Sequence, residues 1–146
     1  MTVGIIVCGH GQFATGIAST VELISGQPEN FQVVDFNGSD DLNYLLHQAI
    51  NKMHCEQLLF FTDILGGAPF HQASLIAKKR GNCQVVAGVT AQMLIEACLE
   101  RDEYEDLPKA VDALIASARQ GVTSLQQQMA NKKSDKPSNQ SSDDGI

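Results

Sequence analysis

Tryptophan is absent from these 146 residues, and aromatic side chains make up 5% of them, so any core must be packed mainly from aliphatic residues. Positive charge is also scarce: 10 Lys and Arg face 17 Asp and Glu, for a formal net charge of -7. That balance argues against nucleic acid or an anionic membrane surface as a partner. No apolar run is long enough to span a bilayer, and Gly9-His10-Gly11 interrupts the opening run too early for a secretion signal. Four cysteines (Cys8, Cys55, Cys83, Cys98) lack CxxC spacing and have no histidine at zinc-ligand spacing. Neither a metal site nor a disulfide framework is expected, and the thiols read as reduced, in the cytoplasm.

Hydrophobic residues make up 43% of the chain, enough for one domain with a real core at a length too short for two. Val3-Gly4-Ile5-Ile6-Val7-Cys8 is β-branched and reads as a first strand. A helix over residues 13–24 follows and is closed by Gly26 and Pro28. Residues 31–36 form a second strand. Ser39 is then the expected N-cap of a helix with Asp40-Asp41 in its first turn and Leu42, Leu45, Leu46, Ala49 and Met53 at helical spacing.

Leu58-Leu59-Phe60-Phe61-Thr62-Asp63 is a short apolar run ending in a carboxylate, as a buried parallel strand reads. Gly66-Gly67 leads to Pro69 at a helix start, and Lys78-Lys79-Arg80-Gly81 is that helix's stop signal. Residues 83–89 form a fourth strand, and Thr90 caps a helix that ends near Arg101. A last long helix spans residues 107–119, and residues 121–125 are expected to form a short edge strand. Residues 131–146 hold no core former before Ile146 and read as a disordered tail, which leaves residues 1–130 as the domain.

Strands alternating with helices predict an α/β, flavodoxin-like, doubly wound fold with a mostly parallel sheet of order 2-1-3-4. Strands one and three are then neighbours, and the crevice at their carboxyl ends is the topological switch point. That crevice brings together His10, just past strand one, and Asp63, at the end of strand three. A neutral imidazole is a good nucleophile, and a carboxylate on one ring nitrogen frees the other to attack. Backbone N–H groups of Gly67, Ala68 and Phe70, at a helix N-terminus, suit phosphoryl oxygens. Gly11, Gly66, Gly67, Ala68 and Phe70 are the candidate phosphoryl-binding residues. No Lys or Arg falls in the loops after strands one to three, and no P-loop is present. The pattern fits a phosphoryl group handed over by a protein better than ATP, with no cofactor.

Val7-Cys8-Gly9-His10-Gly11, the stretch from Phe60 through Asp63-Ile64-Leu65-Gly66-Gly67-Ala68-Pro69 to Phe70, and Val86-Ala87-Gly88-Val89 together carry a resemblance. They resemble the IIA component of mannose-family phosphotransferase-system (PTS) sugar transporters, over about residues 1–125. With no IIB domain after the tail, the chain is most similar to the stand-alone N-acetylgalactosamine/galactosamine type. The resemblance implies that His10 accepts phosphate from HPr and passes it to a separate IIB protein, and through it to the membrane IIC and IID components. It implies that Asp63 pairs with His10, and that a homodimer exchanges an edge strand near residues 122–125. Ala68 departs from the family's usual Ser or Thr before the proline and removes a hydroxyl beside the phosphate.

His47, His54 and Lys78-Lys79-Arg80 read as solvated surface, His71 lies near the site, and Cys8 reads as a small buried hydrophobe. Three rivals stay open. A receiver domain would need an acidic pair where Cys8-Gly9-His10 stands. A phosphotransferase subunit feeding a dihydroxyacetone kinase shares the fold and the histidine. An anion-binding module without turnover is the third.

Overall fold

In the computed structural model, which describes residues 2–134, four parallel strands lie in the order β2-β1-β3-β4. In chain order the elements are β1 (Val3–His10), α1 (Phe13–Ser25), β2 (Phe31–Phe36), α2 (Leu42–Asn51), β3 (Gln57–Thr62) and α3 (Ala68–Arg80). They continue with β4 (Cys83–Val86), α4 (Ala91–Glu100), a 3-10 turn at Arg101–Glu103, α5 (Leu107–Gln120) and α6 (Leu125–Ser134). The expected α/β sheet and its order are therefore present.

β1 and β3 are the central strands, and side chains from alternate positions enter two separate cores. Val3, Ile5, Val7, Leu59 and Phe61 pack under α1, α4 and α5, against Val21, Leu94 and Leu114. Ile6, Cys8, Leu58 and Phe60 pack under α2 and α3, against Leu46, Ala73 and Ile76. This two-sided burial explains why both strands read as continuous apolar runs.

Several local expectations need correction. β1 runs on to His10, because Gly9 and His10 stay in register with Asp35 and Phe36 of β2. Gly9 is required there by packing: a Cβ would sit 2.6 Å from Cδ1 of Phe13. α2 is capped by Asp41, whose carboxylate accepts from the Tyr44 N–H at 3.1 Å. Ser39 instead belongs to a turn in which the Asn37 side chain accepts the N–H groups of Ser39 and Asp40. β4 ends at Val86 rather than residue 89.

The expected edge strand at residues 121–125 is not formed. Gly121 ends α5, and the Ser124 hydroxyl accepts from the Gln127 N–H at 3.1 Å, which starts α6 instead. A serine cap followed by Gln, Met and Ala favours helix over strand. α6 also runs past residue 131, so the structureless tail cannot begin there; residues 135–146, the rest of the expected tail, lie outside the described residues.

The amino end of the sheet is closed by Arg101, which is buried. Its Nη1 donates to the carbonyls of Val3, at 3.2 Å, and Asn30, at 2.9 Å, and its Nη2 donates to the carbonyl of Glu29. One guanidinium thus joins the start of β1, the approach to β2 and the end of α4. Arg101→Met keeps much of the stem but removes the guanidinium from three carbonyls, of which that of Asn30 keeps the Ile5 N–H at 3.0 Å. It is expected to cost about 2–4 kcal/mol, read as a lower urea midpoint at unchanged slope. A midpoint within error of wild type would show that these hydrogen bonds add nothing net to stability.

Candidate active site

The site stands at the carboxyl ends of β1 and β3, where the sequence placed it. His10 is the last residue of β1, with a side chain 44% exposed. Asp63 follows β3 directly, and its side chain is 7% exposed. Asp63 Oδ2 accepts two hydrogen bonds from His10: the backbone N–H at 2.8 Å and ring Nδ1 at 2.9 Å. Asp63 Oδ1 accepts the Ile64 N–H at 2.8 Å. Because a carboxylate only accepts, Nδ1 carries the proton in the neutral ring and Nε2 presents a free lone pair.

Burial by itself would raise the Asp63 pKa, but the backbone and ring N–H groups of His10 and the N–H of Ile64 outweigh it. The carboxyl ends below its ordinary value of 3.8. It is therefore a carboxylate at neutral pH and a permanent negative partner for the ring.

The loop from Asp63 to α3 is shaped around that ring. Gly66 has φ 83, a left-handed conformation that favours glycine. Gly67 has an ordinary extended backbone but no room for a side chain: a Cβ would lie 2.8 Å from His10 Cε1 and 3.6 Å from Nε2. Gly67 caps α3 with no side-chain hydrogen bond, Ala68 is the exposed first helical residue, and Pro69 follows. The first N–H groups of a helix have no intrahelical acceptor, so this end carries free donors and the positive end of the dipole. The Phe70 side chain turns instead into a groove shared with Leu65, Val86 and Met93. Gly11, with φ 59, donates its N–H to the Phe36 carbonyl at 2.7 Å.

His71 is exposed in the first turn of α3, and no hydrogen bond joins it to His10 or Asp63. Cys8 is fully buried, and its thiol is pushed up to about 12 by desolvation and by the charges of Asp63 and Asp35. A thiol held in that form is a poor nucleophile. Among the described residues no group of His, Cys, Asp and Glu could hold a metal ion, and no helix is long and apolar enough to cross a membrane.

Two neighbours of the site were not singled out from sequence. The Phe36 ring meets the His10 ring edge to face, with centroids 5.9 Å apart and planes at 64°. Asp35, next to it, accepts the N–H of Thr15 at 3.0 Å and its hydroxyl at 2.5 Å, which ties the start of α1 to β2. Only the predicted pairing of strands one and two pointed to Phe36, and nothing in the sequence pointed to Thr15.

Gly67→Ala tests the fit of the loop to the ring. The backbone accepts alanine, so the variant is expected to fold while the new methyl pushes the imidazole off Asp63. Ring nitrogen NMR of ¹⁵N-histidine protein should then show the His10 pattern moving towards that of an unrestrained imidazole. An unchanged pattern would mean that the loop yields rather than the histidine.

The family model described as PTS system fructose IIA component matches residues 4–115. The mannose-specific EIIAB component of Escherichia coli (strain K12) is 30% identical over 129 residues, which is 86% of this chain and 40% of that protein. The chain thus spans about two fifths of the length of that curated relative. The sorbose-specific EIIA component of Lacticaseibacillus casei is 27% identical over 128 residues, 86% of this chain and 92% of that protein. Among solved structures, phosphotransferase system component EIIA from Streptococcus agalactiae superimposes with a TM-score of 0.78 at 31% identity. The superposition covers 86% of this chain and 98% of that one. A site of one histidine held by one carboxylate, on this sheet order and with these relatives, has a family: the chain belongs to the mannose-type IIA components of the phosphotransferase system.

Proposed function

We propose that this chain is a phosphoryl carrier in which His10 Nε2 accepts a phosphoryl group from phospho-HPr and passes it to a separate IIB component. The observation that carries the reading is the 2.9 Å bond from His10 Nδ1 to a sheltered Asp63 carboxylate, which leaves Nε2 free at an open crevice. In the forward step the P–N bond of the donor histidine breaks and a P–N bond to Nε2 forms. The Nδ1 proton stays in place, so the phosphorylated ring is cationic and Asp63 stabilises it. The backbone N–H groups of Ala68 and Phe70, in the first turn of α3, would hold the phosphoryl oxygens, since Pro69 has no N–H and the Gly67 N–H donates to the Ile64 carbonyl at 3.3 Å. Onward transfer repeats the exchange with the acceptor, so no metal, nucleotide or cofactor enters the balance.

The setting is the cytoplasm, where IIB would relay the group to membrane IIC and IID components. The stand-alone N-acetylgalactosamine/galactosamine type is our reading of the subtype and rests on the motif resemblance alone, since sugar specificity belongs to the membrane partners. Incubation with phosphoenolpyruvate, enzyme I and HPr should label the protein at one acid-labile, base-stable site. His10→Ala should take up no label. Asp63→Asn should fold but accept phosphate about 10²-fold more slowly, because an amide cannot stabilise a cationic ring. Full labelling of His10→Ala, or an unchanged rate in Asp63→Asn, contradicts these roles.

The proposal extends to a homodimer. Among the described residues β4 has no partner on its outer edge. Beside that edge runs a groove of about 460 Å³ lined by Leu65, Phe70, Met93, Ile115 and Val122. Leu65 and Val122 are both 74% exposed, an apolar surface that a second copy would cover. Sedimentation of the full-length protein should give twice the monomer mass, and a monomer at micromolar concentration would end the dimer claim.

A further inference from the structure

Asp63 and Gly67 do not by themselves fix the plane of the His10 ring. The hydrogen bond at Nδ1 sets one atom and one direction. Nδ1 lies off the Cβ–Cγ axis, so the Asp63 bond restrains rotation of the ring. A single hydrogen bond tolerates some bending, however, and the terminal torsion of a histidine is broad, which leaves the ring a limited rocking about Cβ–Cγ. Gly67 limits that rocking at one edge, Cε1. The remaining constraint is Phe36, edge to face at 5.9 Å and 64°, within the geometry that aromatic pairs prefer.

Phe36 is placed by the sheet and not by chance contact. It is the last residue of β2 and the register partner of His10, so both side chains leave the same face of neighbouring strands. The 2.7 Å bond from the Gly11 N–H to the Phe36 carbonyl holds the two strand ends together beyond the ladder. The ring itself is half-buried and packs against the core of Ile6, Cys8, Val34 and Leu46. Its ring is anchored in that core, whereas the His10 side chain is 44% exposed.

We propose that Phe36 is a positioning residue for His10, setting the plane of the imidazole so that Nε2 meets an incoming phosphoryl group while Nδ1 stays on Asp63. This rests on the carrier reading of His10. The Nε2 lone pair lies in the ring plane, and in-line displacement at phosphorus needs that lone pair along the axis of the breaking P–N bond. A ring that rocks spends less time aligned, so rate falls although every group that touches the phosphate remains.

The test uses full-length Phe36→Leu and Phe36→Tyr, with circular dichroism to confirm the fold. Phe36→Leu should slow the initial rate of phosphorylation by phospho-HPr about two- to tenfold, and Phe36→Tyr, which keeps the ring, should restore it. Ring ¹⁵N resonances of unphosphorylated His10 should move towards a tautomer average in Phe36→Leu and stay near wild type in Phe36→Tyr. Unchanged rate and resonances in a folded Phe36→Leu overturn the proposal, as does an equal loss in both variants. If Phe36→Leu does not fold, Phe36→Met carries the same comparison. Wild type that accepts no phosphate defeats the carrier reading instead, and the ring resonances then still decide whether Phe36 positions His10.

Discussion

The Asp63 carboxylate is the constraint on which the site depends. One oxygen accepts both the backbone and the ring N–H of His10, and the other accepts the N–H of Ile64. A single ion therefore joins the ends of the two central strands, selects the tautomer of the histidine and sets the first bend of the loop towards α3. It does so while nearly closed off from solvent, where charge-assisted hydrogen bonds are weakened little by screening. Any group that replaced it would have to meet three donors at once, which an amide oxygen with a neutral charge does less well.

The two ends of the sheet divide the work of holding the fold and presenting chemistry. At the amino end, Arg101 spreads its donors over three carbonyls and closes the strands together. At the carboxyl end no Lys or Arg stands in the loops of the site, and the basic run Lys78, Lys79 and Arg80 lies in the last turn of α3, a helix length away. On the carrier reading this is sensible. A phosphoryl group held by neutral N–H dipoles is stabilised in passing but not trapped, whereas a lysine or arginine clamp would favour retention over onward transfer. The missing side-chain cap at Gly67 and the methyl of Ala68 continue the same economy of contacts.

How far the sequence could be read depended on the range of the interactions involved. Binary patterning and turn residues identified four strands, the helices between them and the crevice, because apolar periodicity, the Thr90 cap and glycine stops are local signals. Patterning was least reliable where a local preference had a close competitor. Asp41 displaced Ser39 as the cap of α2, and the cap at Ser124 turned an expected edge strand into the start of α6. The ladder to β2 carried β1 past Gly9, although glycine usually signals a turn.

His10 and Asp63 were determined by the sequence itself: each ends a readable strand, and a parallel order with right-handed crossovers leaves those ends side by side. Tertiary structure alone decided the rest of the site. That one oxygen takes two donors from His10, that a Cβ on Gly67 would lie 2.8 Å from His10 Cε1, and that Phe36 faces the imidazole at 5.9 Å are distances between distant segments. Such distances follow from register, twist and the packing of two cores at once. No window of neighbouring residues contains them.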